Sequence, residues 1–182
     1  MNLADKHILY GVTGGIAAYK AALLVRLFKK AGADVRVVMT ASATQFITPL
    51  TMGTLSENPV GLDMFQQQPI HDVRHIRWAD WADLALIAPA TANTIGKIAN
   101  GIADDLLSSM VLAIQCPLII APAMHHQMWA HPAVQRNLET LKQFGYLMIE
   151  PGQGALASGD TGVGRMQDPE AIFQFIQALD IP

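Results

Sequence analysis

Two short runs, Leu84-Ala85-Leu86-Ile87-Ala88-Pro89 and Pro117-Leu118-Ile119-Ile120-Ala121-Pro122, contain no charged or hydrogen-bonding side chain. Side chains alternate between the two faces of a sheet, so a strand with no polar residue at either parity has to be covered on both sides. Sheets covered on both faces are predominantly parallel, because each crossover between parallel strands lays a helix on one face or the other. The rest of the chain agrees, with short apolar runs alternating with amphipathic stretches. The expected fold is α/β, a Rossmann-like three-layer sandwich on a parallel sheet, with residues 1–182 forming a single domain.

His7 to Gly11 is expected as the first strand. Gly14 and Gly15 then open a helix from about Ile16 to Lys30, whose Leu23, Leu24, Leu27 and Phe28 recur at helical spacing before Gly32 ends it. Asp34 to Met39 alternates as a second strand. Ser42 stands where it would cap a helix through Phe46, and Pro49 begins another segment that stops near Asn58-Pro59. Gly61 to Arg77 is polar, rich in Gln and His and weakly patterned, so a long loop is expected. Helices are expected from about Ala92 to Ile102, from Asp104 or Asp105 through Ile114, and from His126 to Phe144 with a break near Pro132. Tyr146 to Ile149 is the last strand, and a helix closes the chain. Between these, Gly154 to Met166 carries four glycines, one aspartate and one arginine. It reads as a loop that folds over a ligand, part of a clamp at about 152–167.

Hydrophobic residues make up 51% of the chain and charged ones 15%, with a mean hydropathy of +0.27. Such a chain calls for more burial than a monomer of this size usually provides, which points to oligomerisation or a large apolar cofactor. The formal charge of −3 offers no basic field for nucleic acid. No apolar run reaches the ~20 residues that cross a bilayer, and the N-terminus has no signal design, so a cytoplasmic location without a membrane partner is expected. The single cysteine, Cys116, excludes an internal disulfide and sits in an apolar run, as a buried structural thiol would.

Ligands on open parallel sheets sit beyond the carboxyl ends of the strands. The first turn there, Gly11-Val12-Thr13-Gly14-Gly15-Ile16, leads into a helix start whose free N–H groups favour an anion such as phosphate. It is not the G-x-G-x-x-G dinucleotide pattern. After the second strand a nicotinamide enzyme would place an acid for the ribose, whereas this chain has Met39-Thr40-Ala41-Ser42. Hydroxyls suit a phosphate, so the pocket reads as one for a mononucleotide rather than for NAD. In the third turn, Pro89-Ala90-Thr91-Ala92-Asn93-Thr94, small residues let a flat ring lie against the backbone and Asn93 offers a donor and an acceptor. Thr91 also fits a plain helix cap.

These turns, with Phe46-Ile47-Thr48-Pro49-Leu50, His75-Ile76, Trp81-Ala82-Asp83, Pro122-Ala123-Met124, and Gly159-Asp160 to Gly164-Arg165-Met166, span nearly the whole chain. The chain thereby resembles the homo-oligomeric flavin-containing cysteine decarboxylases, and within them the phosphopantothenoylcysteine decarboxylases of coenzyme A biosynthesis. The flavin prenyltransferases share the fold but fit the His75-Ile76 and Gly-Asp signatures less well.

The resemblance implies an FMN cofactor, with phosphate and ribityl chain near Gly14, Gly15, Ile16, Thr40 and Ser42, and with the ring by Thr91, Ala92, Asn93, Thr94 and Ala123. It implies a homotrimer or a multiple of trimers, with the flavin close to subunit interfaces. The implied substrate is a small cysteine-derived molecule whose thiol side is oxidised so that CO2 can leave, giving an ene-thiol that these decarboxylases then reduce. His75 matches the catalytic histidine, and an imidazole titrates near neutral pH. His125, Gly159, Asp160, Arg165 and Met166 take substrate-binding positions, and Arg165 or Lys97 could meet a substrate phosphate.

Two residues depart from the family pattern. His125 stands where the family usually has an Asn that holds the substrate carboxylate. Ser158 stands in the catalytic position where the coenzyme A decarboxylases carry a cysteine as acid for the reductive step, and a hydroxyl is a far weaker acid than a thiol. Three functions therefore stay open: decarboxylation of 4'-phosphopantothenoylcysteine to 4'-phosphopantetheine, an oxidative peptidyl-cysteine decarboxylation that stops at the ene-thiol, and a flavin-binding regulatory protein with impaired catalysis. His125, His126 and His131 raise a metal site, but no Glu or second motif completes a zinc pattern, so no metal is expected. His7 and His71 are expected to be incidental.

Overall fold

In the computed structural model, which describes residues 1–65 and 73–180, both fully apolar runs become interior strands. The sheet is parallel and five-stranded, with β1 (His7–Val12), β2 (Asp34–Met39), β3 (Leu84–Ala90), β4 (Leu118–Pro122) and β5 (Leu147–Met148) in the order β2-β1-β3-β4-β5. Pro89 has no N–H to give to the ladder, and the β3–β4 register shifts between Ile87 and Ala90 to accommodate it. The sequence places this strand correctly but makes the last one too long.

Alternation sorts the strands into two cores. Ile8, Tyr10, Val12, Leu84, Leu86 and Ala88 face one core with α1 (Ala21–Lys30), α2 (Pro49–Ser56) and α8 (Pro169–Ala178). Leu9, Ala85, Ile87, Leu118 and Ile120 face the other with α4 (Ala92–Ala99), α5 (Leu106–Ala113) and α7 (Pro132–Gln143). These are the three layers that the apolar runs require. No helix among the described residues is long and apolar enough to cross a membrane.

Several local expectations are corrected. The helix expected from Ile16 begins as a 3-10 turn over Ile16–Lys20 and becomes α-helical at Ala21. Ser42 takes the N-cap position of a 3-10 turn, Ala43–Gln45, but its side chain makes no capping hydrogen bond. The long polar loop gives way at Arg74 to α3 (Arg74–Trp81), while His71 and the stretch 66–72 lie outside the described residues. No aliphatic stripe announces α3, because rings and cations hold it. The Arg36 guanidinium lies 4.0 Å from the Trp81 ring and 5.5 Å from that of Trp78, and the His7 ring packs 4.6 Å from Trp81. Asp83 accepts the His7 backbone N–H at 2.8 Å. The Trp81-Ala82-Asp83 signature is thus a scaffold that seats the helix carrying His75.

The expected clamp loop is a two-stranded antiparallel hairpin, β6 (Gly152–Ala155) and β7 (Thr161–Arg165). It docks on the turn between β4 and the short helix α6 (His126–Trp129). Met124 N–H donates to the Gly164 carbonyl at 2.9 Å. Gly164 has φ +152, and a Cβ there would fall 2.1 Å from the Met124 carbonyl oxygen. Only glycine lets the two backbones meet this closely.

Candidate functional site

Strand order reverses at β1, which pairs with β2 on one side and β3 on the other. Such a switch point leaves a crevice at the carboxyl ends of the strands, where ligands of doubly wound sheets bind. A cavity of about 990 Å³ opens there. All ten residues expected to hold a cofactor line it: Gly14, Gly15, Ile16, Thr40, Ser42, Thr91, Ala92, Asn93, Thr94 and Ala123. Thr13 joins two of its walls, its hydroxyl donating to the Pro89 carbonyl at 2.7 Å and accepting from the Thr91 N–H at 3.0 Å. Thr91 is at once a wall residue and the α4 cap, accepting from the Thr94 N–H at 3.4 Å. The small side chains of Ala92 and Ala123 leave room for a flat ring, and the hydroxyls of Thr40 and Ser42 lie in the wall beside the first turn.

The substrate side is brought together only in part. His125, Ser158 and Arg165 line the cavity. Gly159 and Asp160 are not in its wall but at the hairpin tip, from which Asp160 Oδ2 reaches His125 Nε2 at 2.9 Å and accepts from Ser158 Oγ at 3.1 Å. The bond from His125, followed by that from Ser158, holds the Asp160 carboxyl below its usual range. His125 caps α6, with Nδ1 accepting the Gln127 N–H at 3.3 Å. Met166 lines the cavity, and it is buried with the core cluster on that side of the sheet.

His75 does not line the cavity. It sits half-buried on α3, which packs against α5 and β1. Of the two residues expected to be catalytic, Ser158 therefore lines the cavity of its own chain and His75 does not.

Lys20 also belongs to the cavity wall, although no turn motif in the sequence marks it. Its ammonium is buried at the cavity wall and donates to the Met166 carbonyl at 3.0 Å and to Asp168 at 2.8 Å. The signal was present, since a lysine on the apolar face shared by Ala17, Ala21 and Leu24 has to find partners. Lys97 also lines the cavity, paired with Asp104 at 2.7 Å and Asp105 at 3.0 Å. The Asp104 hydrogen bond leads the effects that raise its pKa. Cys116 plays no part here, and burial pushes its thiol up to about 11, far from a reactive thiolate.

Fold and cavity together define an open α/β protein with a mononucleotide-sized pocket at its switch point. The sequence model of the Flavoprotein family matches residues 1–180, and the chain belongs to that family. The coenzyme A biosynthesis bifunctional protein CoaBC of Bacillus subtilis (strain 168) is 50% identical over 175 residues, which is 96% of this chain and 43% of that protein. The chain thus spans less than half the length of such relatives. A solved structure of a Cys-to-Ser mutant of PPC decarboxylase, complexed with pantothenoylaminoethenethiol, superposes with a TM-score of 0.84 at 36% identity, covering 95% of this chain and 97% of the other. The FMN-dependent cysteine decarboxylase SpaF gives a TM-score of 0.81 at 36% identity, covering 97% and 98%.

Proposed function

We propose that the cavity holds FMN and that the chain decarboxylates 4'-phosphopantothenoylcysteine to 4'-phosphopantetheine. The observation that carries this is the convergence of all ten cofactor-side residues on one switch-point cavity. A volume of about 990 Å³ suits a mononucleotide. When bound, FMN would take two electrons from the thiol-bearing carbon, so that the resulting thiocarbonyl accepts the pair CO2 leaves behind, and would return them to give the saturated thiol. The Gly14–Ile16 turn and the Thr40 and Ser42 hydroxyls hold the phosphate end, and the Thr91–Thr94 turn with Ala123 flanks the ring. His125 and Arg165 bind the substrate carboxylate and phosphate, and the docked hairpin excludes water.

His75 moves the proton from a neighbouring copy of the chain. Two features support a homotrimer or a multiple of it: His75 lies outside its own cavity, and Ile16, Tyr19, Leu23, Phe46 and Leu50 leave apolar side chains in solvent on the segments that flank the cavity. A second reading has one observation in its favour. Ser158 offers a hydroxyl, bonded to Asp160, where the family resemblance expects a thiol acid, and a chain without that acid releases the ene-thiol.

The test is turnover of phosphopantothenoylcysteine by the flavin-loaded protein, with CO2 and product mass followed together. The saturated thiol supports the first reading, and a product two hydrogens lighter supports the second. A protein that takes up no FMN refutes both.

A further inference from the structure

His125, His126 and Asp160 meet at the mouth of the cavity, although Asp160 lies 35 residues beyond His125 in the chain. One ring nitrogen from each histidine and one carboxylate oxygen lie within 4.8 Å of one another. The two imidazole centroids are 4.2 Å apart, and Ser158 Oγ is 3.1 Å from the carboxylate oxygen that faces His125. The convergence is built into the docking of the hairpin. Its register is fixed by the Met124–Gly164 hydrogen bond, and at Gly162 a Cβ would fall 2.6 Å from His126 Cβ, so the backbone of β7 closes directly onto the imidazole. No acid stands beside these histidines in the sequence, and the fold supplies one.

We propose that this cluster binds a divalent transition-metal cation of the zinc class through His125 Nε2, a ring nitrogen of His126 and the Asp160 carboxylate. Imidazole and carboxylate donors suit zinc. Bonds of about 2.0–2.2 Å place tetrahedral ligand atoms roughly 3.4 Å apart, so the widest pair has to close by roughly 1.4 Å. The side chains that make this adjustment are half-buried or exposed. With Gln127 N–H donating to Nδ1, the His125 ring proton sits on Nε2 and is given to Asp160. A metal at Nε2 moves that proton to Nδ1 and gives up the long 3.3 Å Gln127 bond.

A divalent ion with one carboxylate ligand keeps a net positive charge. Of its three ligands His125 lines the cavity, so the ion would sit at the cavity's edge. Such an ion fastens the hairpin to α6 and takes over from the His125 ring the contact with an anionic oxygen of whatever occupies the cavity. The ion-binding site rests on hairpin and helix alone and does not depend on the flavin reading.

The test uses purified protein stripped with a chelator and dialysed. It is titrated with Co2+, followed by visible ligand-field absorption, and with Zn2+, followed by calorimetry. One ion per chain is expected, with the intense bands of a low-coordinate cobalt site. Asp160→Asn and His126→Ala should each weaken binding by about 100-fold or more, since even outer partners of metal ligands are worth 10–100-fold. His131→Asn, which retains an acceptor for the Ala133 N–H, should bind as the parent does. Circular dichroism establishes that each variant is folded. Absence of binding to the parent protein, or binding that survives both ligand substitutions, overturns the proposal. Flavin absorbance is read in the same samples, so failure of flavin uptake and failure of metal binding are told apart.

Discussion

Replacing Gly164 by alanine should undock the hairpin while leaving the sheet intact. The added Cβ would fall 2.1 Å from the Met124 carbonyl oxygen and 3.2 Å from its carbon. An ordinary C···O contact is roughly 3.3 Å, so the strand has to retreat by about 1.2 Å, which breaks the 2.9 Å Met124–Gly164 hydrogen bond. The backbone at φ +152 adds a second cost, because side chains other than glycine avoid it. Strain of about 1–3 kcal/mol and a lost hydrogen bond of about 0.5–1.5 kcal/mol together make roughly 2–4 kcal/mol. A short exposed hairpin belongs to the low-stability end of local opening, so the loss falls on docking first.

Hydrogen exchange followed by NMR reads this directly. Protection of the Met124 amide should drop by about 30-fold or more, while amides of β1 and β3 keep theirs. Ser158 and Arg165, which reach the cavity from this hairpin, should leave its wall. Met124 protection within about threefold of the parent would refute the claim that close backbone approach at Gly164 holds the hairpin down.

Three further outcomes follow from other contacts. Tyr10→Phe removes a fully buried hydroxyl that donates to the Ala88 carbonyl at 2.6 Å; a loss of about 1–2 kcal/mol, seen as a Tm lowered by roughly 2–8 °C with flavin uptake unchanged, is expected. The Lys20 hydrogen bond holds the Asp168 carboxyl below its usual range. Its contribution is therefore present above the unfolded value near 3.9 and lost as pH falls through the lower folded value. In urea melts, the stability advantage over Asp168→Asn should be flat above about pH 5 and shrink on further acidification, and an advantage that stays flat to about pH 2 would contradict it. If His75 serves a neighbouring cavity, His75→Asn and Asn93→Ala chains, each inactive alone, should regain turnover when unfolded and refolded together. Mixtures as inactive as their parents would place His75 elsewhere.

Much of this architecture was legible because it rests on patterns with a fixed physical period. The strands β3 and β4 announce themselves by the absence of polar residues at both parities, and the cavity turns by glycines and hydroxyls immediately after strands. What the sequence hid depends on contacts between distant residues. Helix α3 has no apolar stripe to read, because Arg36, from strand β2, does the work of an aliphatic face against Trp78 and Trp81. The hairpin reads as a loop in the sequence because its strands are glycine-rich and short, and their pairing gains from docking on Met124 and His126. Met166 stands in a motif read as ligand-facing, yet it is buried with the core. Asp160 could not be joined to His125 and His126 before the fold brought the hairpin over α6.

The Thr13 hydroxyl sets the gap between the first and third turns with a single side chain, one bond given and one received. The crevice thus has its width before any ligand arrives, and a molecule entering it does not have to order the two turns that receive it. Binding energy that would otherwise go into assembling the walls remains available for holding the ligand. A valine there would match the shape of threonine yet leave the Pro89 carbonyl and the Thr91 N–H without this partner, so the pocket's readiness depends on an oxygen that touches backbone alone among the contacts described.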